Sequence, residues 1–258
     1  MHENNLLTKI NANYNNLSKE IDSFYKDTYS VFRNRILEIE FTADSTKPFL
    51  QLANLLNEYY EKLEVFSKVN KITSQSKLVS SFYEEISSYL FSSLPEIVSG
   101  KYGIFNKKIY AGIKINTDDT ISSITKDVDF CIGKQITISI SNQTPITIIV
   151  PIVAVEVKTY LDATMFGEIK SSSSNIRSAT PNSKTYVLIG HKELDDRHII
   201  SARHDSFLSE IYVLREDENS PIDGHTLFLY YVDILNDIKN ITKSHTIKTP
   251  GRILFPQN

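Results

Sequence analysis

A carboxylate and an amine stand two residues apart in the run VAVEVKTY, residues 153–160. In a strand, side chains alternate between faces, so Val153, Val155 and Val157 point one way and Ala154, Glu156 and Lys158 the other. An ionised pair on one face of so apolar a strand is costly if buried. A surface ion pair on an edge strand would explain it. A reaction centre on a central strand would too, and the apolar neighbours favour the central placement. A second carboxylate lies upstream. In KDVDFCIG, residues 126–133, Asp129 stands between Val128 and Phe130, which share the opposite face. The turn signal SNQTP separates the two runs. Opposed residues of an antiparallel hairpin have a constant index sum, and a two-residue loop of Asn142 and Gln143 sets it at 285, the sum of 129 and 156. Asp129 and Glu156 then face each other with Cβ atoms about 5 Å apart. Two carboxylates so placed repel unless a cation lies between them. A hard divalent ion resolves this: Mg²⁺ typically takes one or two protein carboxylates and fills its shell with water and substrate phosphate. Lys158, on the same face, is placed to hold a water or to stabilise charge on a phosphate. Asp127 shares the face of Asp129 and competes with it. A bulge at Gly133 or Pro151 would shift the pairing, and a slip of one residue turns Glu156 to the other face.

The elements that must position these residues follow from periodicity. Residues 1 to about 95 read as helical, with Leu17, Ile21, Tyr25, Phe32 and Ile36 on one stripe and Leu52, Leu55, Leu56, Tyr59, Leu63 and Phe66 on another. Asp44 or Ser45 before Pro48 marks the break between them. A third helix is expected from Lys77 to Leu94, ended by Pro95. On it Glu85 falls at the edge of the apolar face, near Phe82 and Tyr89, and Glu84 points away to solvent. Glu85 is therefore the candidate third acid, unless both glutamates are simply solvated. Residues 104–158 change to strand period, in runs bounded by Gly133, Asn142, Pro145 and Pro151. Asp162 is a plausible N-cap for a helix carrying Met165, Phe166, Ile169, Ser173 and Ile176, stopped at Pro181-Asn182. TYVLIG, 185–190, has the texture of a buried strand. HIIS reads as a further strand, and the remainder as α/β structure of unassigned type. The expected fold is mixed α/β, with a helical region over 1–76 and an α/β core over 77–258.

Asp129, then Glu156-Val157-Lys158 ending a hydrophobic strand, with a helix before and a helix and strand after, resembles the PD-(D/E)XK nuclease superfamily. The proline of the motif name is replaced by Val128. The stretches DVDFCIGK, VAVEVKTYLDATMFGEIKSSS and PNSKTYVLIG are similar to type II restriction endonucleases, among them those that cut CTNAG-containing sites. The resemblance covers about residues 78–215. It implies a restriction-endonuclease-like core of helix, β-hairpin within three strands, helix and strand. Asp129 and Glu156 would ligate Mg²⁺, Lys158 would position or activate water, and Glu85 would be the helix acid some members use. The activity implied is sequence-specific hydrolysis of duplex DNA, leaving a 5′-phosphate and a 3′-hydroxyl.

DNA contacts are expected from Arg203 and His204 in SARHDS, since arginine is the commonest reader of guanine edges. Lys170 and Arg177 on the serine-rich helix, and Lys184 before TYVLIG, are candidates for phosphate contact. For each the alternative is an ordinary packed or solvated side chain. A homodimer is expected, or a heterodimer, because two strands need two active sites and near-palindromic DNA matches a symmetric oligomer. Residues 1–76 would then serve dimerisation or DNA clamping.

Composition sets the outer limits. The 258 residues include 14 Tyr and 13 Phe and are 41% hydrophobic, which is globular composition. The lone Cys131 excludes an intramolecular disulfide framework and an all-cysteine zinc site, and the six histidines show no HExxH spacing. There is no GxGxxG, no P-loop, no apolar run long enough to span a membrane and no signal-peptide h-region, so a cytoplasmic protein is expected. The net charge of −3 does not advertise nucleic acid, yet Lys101, Lys107, Lys108 and Lys114 lie in an acid-free stretch from 97 to 117, and a second such stretch runs from 238 to 258. The competing functions are a repair or recombination nuclease of the same superfamily and a non-catalytic α/β binding module. A two-acid glycosidase is disfavoured by the absence of Trp.

Overall fold

The computed structural model describes residues 1–141, 143–202 and 207–241. The first part is helical: α1 (His2–Asn11), α2 (Ser18–Phe24), a π-helical turn, α3 (Ser30–Leu37) and α4 (Lys47–Val69), which has Pro48 in its first turn. The expected third helix is α5 (Leu78–Phe91), followed by the single turn α6 (Pro95–Val98). Then come β1 (Gly103–Phe105), β2 (Ile109–Ile115), β3 (Ile121–Lys126), β4 (Phe130–Ile138) and β5 (Ile146–Leu161). The chain continues through α7 (Ala163–Ala179), β6 (Lys184–Lys192), α8 (Asp196–Ala202), β7 (Glu210–Val213) and α9 (Gly224–Asn240). The Asp162 carboxylate caps α7 by accepting from the Met165 N–H at 2.8 Å. HIIS lies in α8, not in a strand: the Arg197 N–H donates to the Asp195 carboxylate at 2.9 Å, and this start signal outweighs the β-branched Ile199-Ile200.

One five-stranded sheet runs β1-β4-β5-β6-β7, and β2 pairs separately with β3. β1/β4 and β4/β5 are antiparallel, whereas β5/β6 and β6/β7 are parallel. VAVEVK therefore lies on the central strand. Val153, Val155 and Val157, with Phe130, Ile132 and Leu188, face α5 and α9 in the main core. Cys131, Ala154, Val187 and Ile189 face the other way, where Phe166, Ile169 and Ile176 of α7 cover the sheet. The main core is continuous from Leu6 to Ile238 and crosses the junction of residues 76 and 77 without a break. Its helical side holds much of the aromatic content, with Phe32 stacked on Tyr59 and Phe24 on Phe66, both with centroids 4.3 Å apart.

Pro151 does not end a strand. It lies inside β5, at an irregularity of the hairpin. From Ile138↔Ile146 to Gly133↔Pro151 the partner indices sum to 284; from Ile132↔Val153 to Phe130↔Val155 they sum to 285. Ile152 is the extra residue, a β-bulge on β5. Pro151 brings no N–H for the ladder to lose there. Gly133 is required on the other strand, because a Cβ would meet the Val150 carbonyl oxygen at 2.6 Å. Gly133→Ala should lower Tm by several degrees, the cost of forcing extra volume into a close backbone crossing. Gly167→Ala, at a helical site with open space around it, should raise Tm by about 1–3 °C. Thermal unfolding of the two variants checks both, and an undiminished Tm for Gly133→Ala would show that the crossing has room.

Candidate active site

The bulge decides what stands next to Glu156. With the register at 285, the residue opposite Glu156 is Asp129, one step beyond the last ladder pair, Phe130↔Val155. The chain leaves the ladder at that point, because the carbonyl of Val128 accepts from the Lys107 N–H at 2.8 Å. Asp129 supplies the missing acceptor with its side chain: the Val157 N–H donates to Asp129 Oδ2 at 2.8 Å. Lys158 Nζ lies 3.4 Å from Glu156 Oε2 and 3.6 Å from Asp129 Oδ2. All three side chains are half-buried, with Glu156 at 16% exposure the least accessible. They lie at the floor of a cleft of about 480 Å³ whose walls come from α1, the start of α5 and the turn at 106–107.

The electrostatics follow from burial. Desolvation, then the neighbouring Asp129 carboxylate, push Glu156 up to about 7 against the pull of Lys158. Burial alone would lower the Lys158 ammonium; Asp129 and Glu156 together outweigh it and hold the group above its ordinary range. One ammonium against two carboxylates leaves the set a net acceptor for a cation. Among the described residues no three His, Cys, Asp or Glu side chains converge as a metal-binding group. Two carboxylates still fit a hard divalent ion, which completes its shell with water and phosphate oxygens.

Of the two α5 glutamates, Glu85 does not line the cleft and Glu84 does. Glu85 is buried in the helical layer, accepting from Tyr29 Oη at 3.2 Å and lying 3.3 Å from the Met1 amine. Glu84 lines the cleft. Burial, then Asp129, raise its pKa. The reason is that α5 is covered on more than one side. Ser81, Phe82, Glu85 and Ser87 are all buried, so the side taken for solvent is the cleft. Asp127 also lines the cleft but is exposed, and its carboxylate accepts from the Lys108 N–H at 3.1 Å, holding the 106–108 turn. Lys170, Arg177 and Lys184 are not among the residues lining the cleft. Lys170 stands 5.7 Å from the centroid of Phe166 on α7, and Lys184 pairs with Val153, so it projects from the face opposite Glu156. Arg203 and His204 lie outside the described residues. Lys77, Lys107 and the α1 residues Asn4, Asn5 and Thr8 line the cleft without having been singled out by motif. Of these, only Lys107 carried a signal, its place in the acid-free stretch. Cys131 is packed, and burial pushes its thiol up.

A family model described as Bpu10I restriction endonuclease matches residues 75–228, a segment that contains Glu84, Asp129, Glu156 and Lys158. Among solved structures, a chain of the native BbvCI A2B2 tetramer superposes with a TM-score of 0.73 over 94% of this chain and 97% of that one, at 16% identity. At that identity the likeness is one of fold. Comparison with curated protein sequences gives no match.

The raised Glu156 carboxyl has a consequence for the metal-free protein. Its folded value, about 7, exceeds the ordinary 4.5 of a glutamate. Its contribution to stability is thus fully present below the unfolded value and is lost as pH rises through the folded one. Glu156→Gln removes that loss. In EDTA, the Tm of Glu156→Gln relative to the wild type should climb by several degrees between about pH 4.5 and 8. A pH-independent difference would mean that the carboxyl is not held in its protonated form.

Proposed function

The chain belongs to the Bpu10I restriction endonuclease family, and from that membership we propose that Asp129, Glu156 and Lys158 are its hydrolytic centre. Its activity is that of a type II restriction endonuclease, a site-specific deoxyribonuclease. The observation that carries the assignment is the convergence of two carboxylates within 3.6 Å of one ammonium, on residues of the family-matched segment that line a cleft. Restriction endonucleases generally use divalent metal ions, and we assign Mg²⁺ to this one. When bound, the ion neutralises charge on the phosphate and lowers the pKa of a coordinated water.

Asp129 and Glu156 would hold the ion. Asp129 is oriented for this by the Val157 N–H, and Glu156 must give up its proton first. Lys158 orients the attacking water and opposes the charge that grows on the phosphate oxygens. Water adds to phosphorus as the bond to the 3′-oxygen breaks, leaving a 5′-phosphate and a 3′-hydroxyl. Glu84 takes over from Glu85 as the helix acid facing the cleft. Two strands need two such centres, and BbvCI is an A2B2 tetramer. A homodimer supplies both centres from one kind of chain; a second kind of chain, as in the BbvCI assembly, is the other arrangement. No helix among the described residues is long and apolar enough to cross a membrane, and a DNA substrate places the work in the cytoplasm.

The test is digestion of long unmethylated DNA with and without Mg²⁺. Discrete fragments that require the ion are expected, and Asp129→Ala, Glu156→Ala and Lys158→Ala should each lose about a thousandfold or more in rate. Glu84→Gln should lose activity with little change in Tm, whereas Glu85→Gln should lower Tm with a smaller change in rate. Cuts confined to one strand would assign the second cut to a different chain. Activity that survives Glu156→Ala would overturn the site.

A further inference from the structure

Negatively charged DNA must enter a cleft lined by Glu84, Asp127, Asp129 and Glu156. Lys158 is already engaged by two of these carboxylates. Lys9 is buried, with its ammonium 4.5 Å from the centroid of the Tyr14 ring, and desolvation lowers its pKa. Two further lysines line the same cleft, Lys77 at the start of α5 and Lys107 in the turn after β1. Both are exposed. Among the described residues neither ammonium has a hydrogen-bond or ion-pair partner; Lys77 acts on Glu84 only at longer range.

Their backbones are unusual. Lys77 has φ 57° and Lys107 φ 61°, and the next residue, Lys108, has φ 47°. These are left-handed conformations that glycine or asparagine adopts far more easily than lysine. The strained turn is fastened by the Lys107 N–H on the Val128 carbonyl and the Lys108 N–H on the Asp127 carboxylate. Lys77 is held by its own N–H on the Ser74 carbonyl at 3.0 Å. Strain fixed by surrounding bonds at a site of chemistry points to a side chain that is needed there.

We propose that Lys77 and Lys107 are positioning residues that hold phosphates neighbouring the one presented to Asp129, Glu156 and Lys158. The assignment rests on the nuclease reading above. It gives the cleft an attractive rim above a floor that would otherwise repel the substrate until cations bind. The two lysines act on the DNA backbone and read no bases.

The variants that separate charge from backbone are Lys77→Asn and Lys107→Asn, since asparagine keeps the left-handed conformation and removes the cation. Lys77→Arg and Lys107→Arg keep the charge. The probe is a duplex carrying the cut site mapped with the wild-type protein. Binding is measured in EDTA across a series of KCl concentrations, and cleavage in Mg²⁺. Each Asn variant should melt at the wild-type temperature, raise KM several-fold more than it lowers kcat, and reduce the slope of log Kd against log salt by about 0.9. The Arg variants should restore both. Unchanged slopes and KM in Asn variants of a protein that binds and cuts would overturn this assignment alone. A wild-type protein that neither binds nor cuts duplex DNA would overturn it together with the reading on which it rests.

Discussion

Everything in the candidate site depends on one extra residue in β5. The side-chain period of a strand is two, so a shift of one residue exchanges its faces. Carried through without Ile152, the outer register would set Asp129 against Val155, and Glu156 would have no acid opposite it. The bulge restores the match over the few residues where the strands still pair. Gly133 and Pro151 make it fit, the first by leaving room for the Val150 carbonyl and the second by asking for no ladder bond. The next departure from regularity then becomes useful. Once Lys107 has taken the Val128 carbonyl, the Val157 N–H is free to fix the Asp129 carboxylate.

A site built this way is electrostatically unfavourable in the metal-free fold. Two carboxylates share one ammonium in a half-buried setting, and the cost shows in the raised Glu156. Groups prepared for catalysis are often held in such surroundings. The stability that offsets the cost lies elsewhere, in the aromatic and aliphatic cluster that runs from Leu6 to Ile238. The helices before α5 thus have a mechanical part in shaping the cleft. They bury the inner side of α5, where His2 bonds Ser81 at 2.9 Å and Tyr59 at 2.7 Å, and this leaves Glu84 on the cleft side.

This explains which parts could be read from the sequence. The strand carrying Glu156 and Lys158, the helix after it and the TYVLIG strand all follow from local periodicity. The opposition of Asp129 and Glu156 came out at the same index sum, but by a different route. β4 ends at Ile138 and β5 begins at Ile146, so their connection is longer than a two-residue turn, and the bulge compensates for it. Two departures of one residue cancelled. Glu84 and Glu85 could not be told apart from one helix alone, because the face a residue buries depends on what packs there. HIIS failed for a related reason: β-branched residues favour strands only as a weak prior, and a capped helix start overrode it. Lys77 and Lys107 have no motif, since their significance lies in a backbone conformation that the sequence does not print.

The family-matched segment begins at residue 75, ahead of α5, and so contains the candidate groups without one wall of their cleft. That wall is α1, more than sixty residues upstream in sequence, with Asn4, Asn5 and Thr8 turned to the same space as Asp129 and Glu156. Its placement is not loose. His2 and Leu6 are fully buried, and Arg33 pairs with Glu3 at 3.0 Å. Asn5 is fastened there by its Nδ2, which donates to the Ser76 carbonyl at 3.4 Å. The helical layer therefore supplies one wall of the cleft. The carboxylates, the lysines and the amide-bearing wall come from stretches far apart in the chain, and the core that runs from Leu6 to Ile238 ties α1 and α5 to the sheet that carries Glu156.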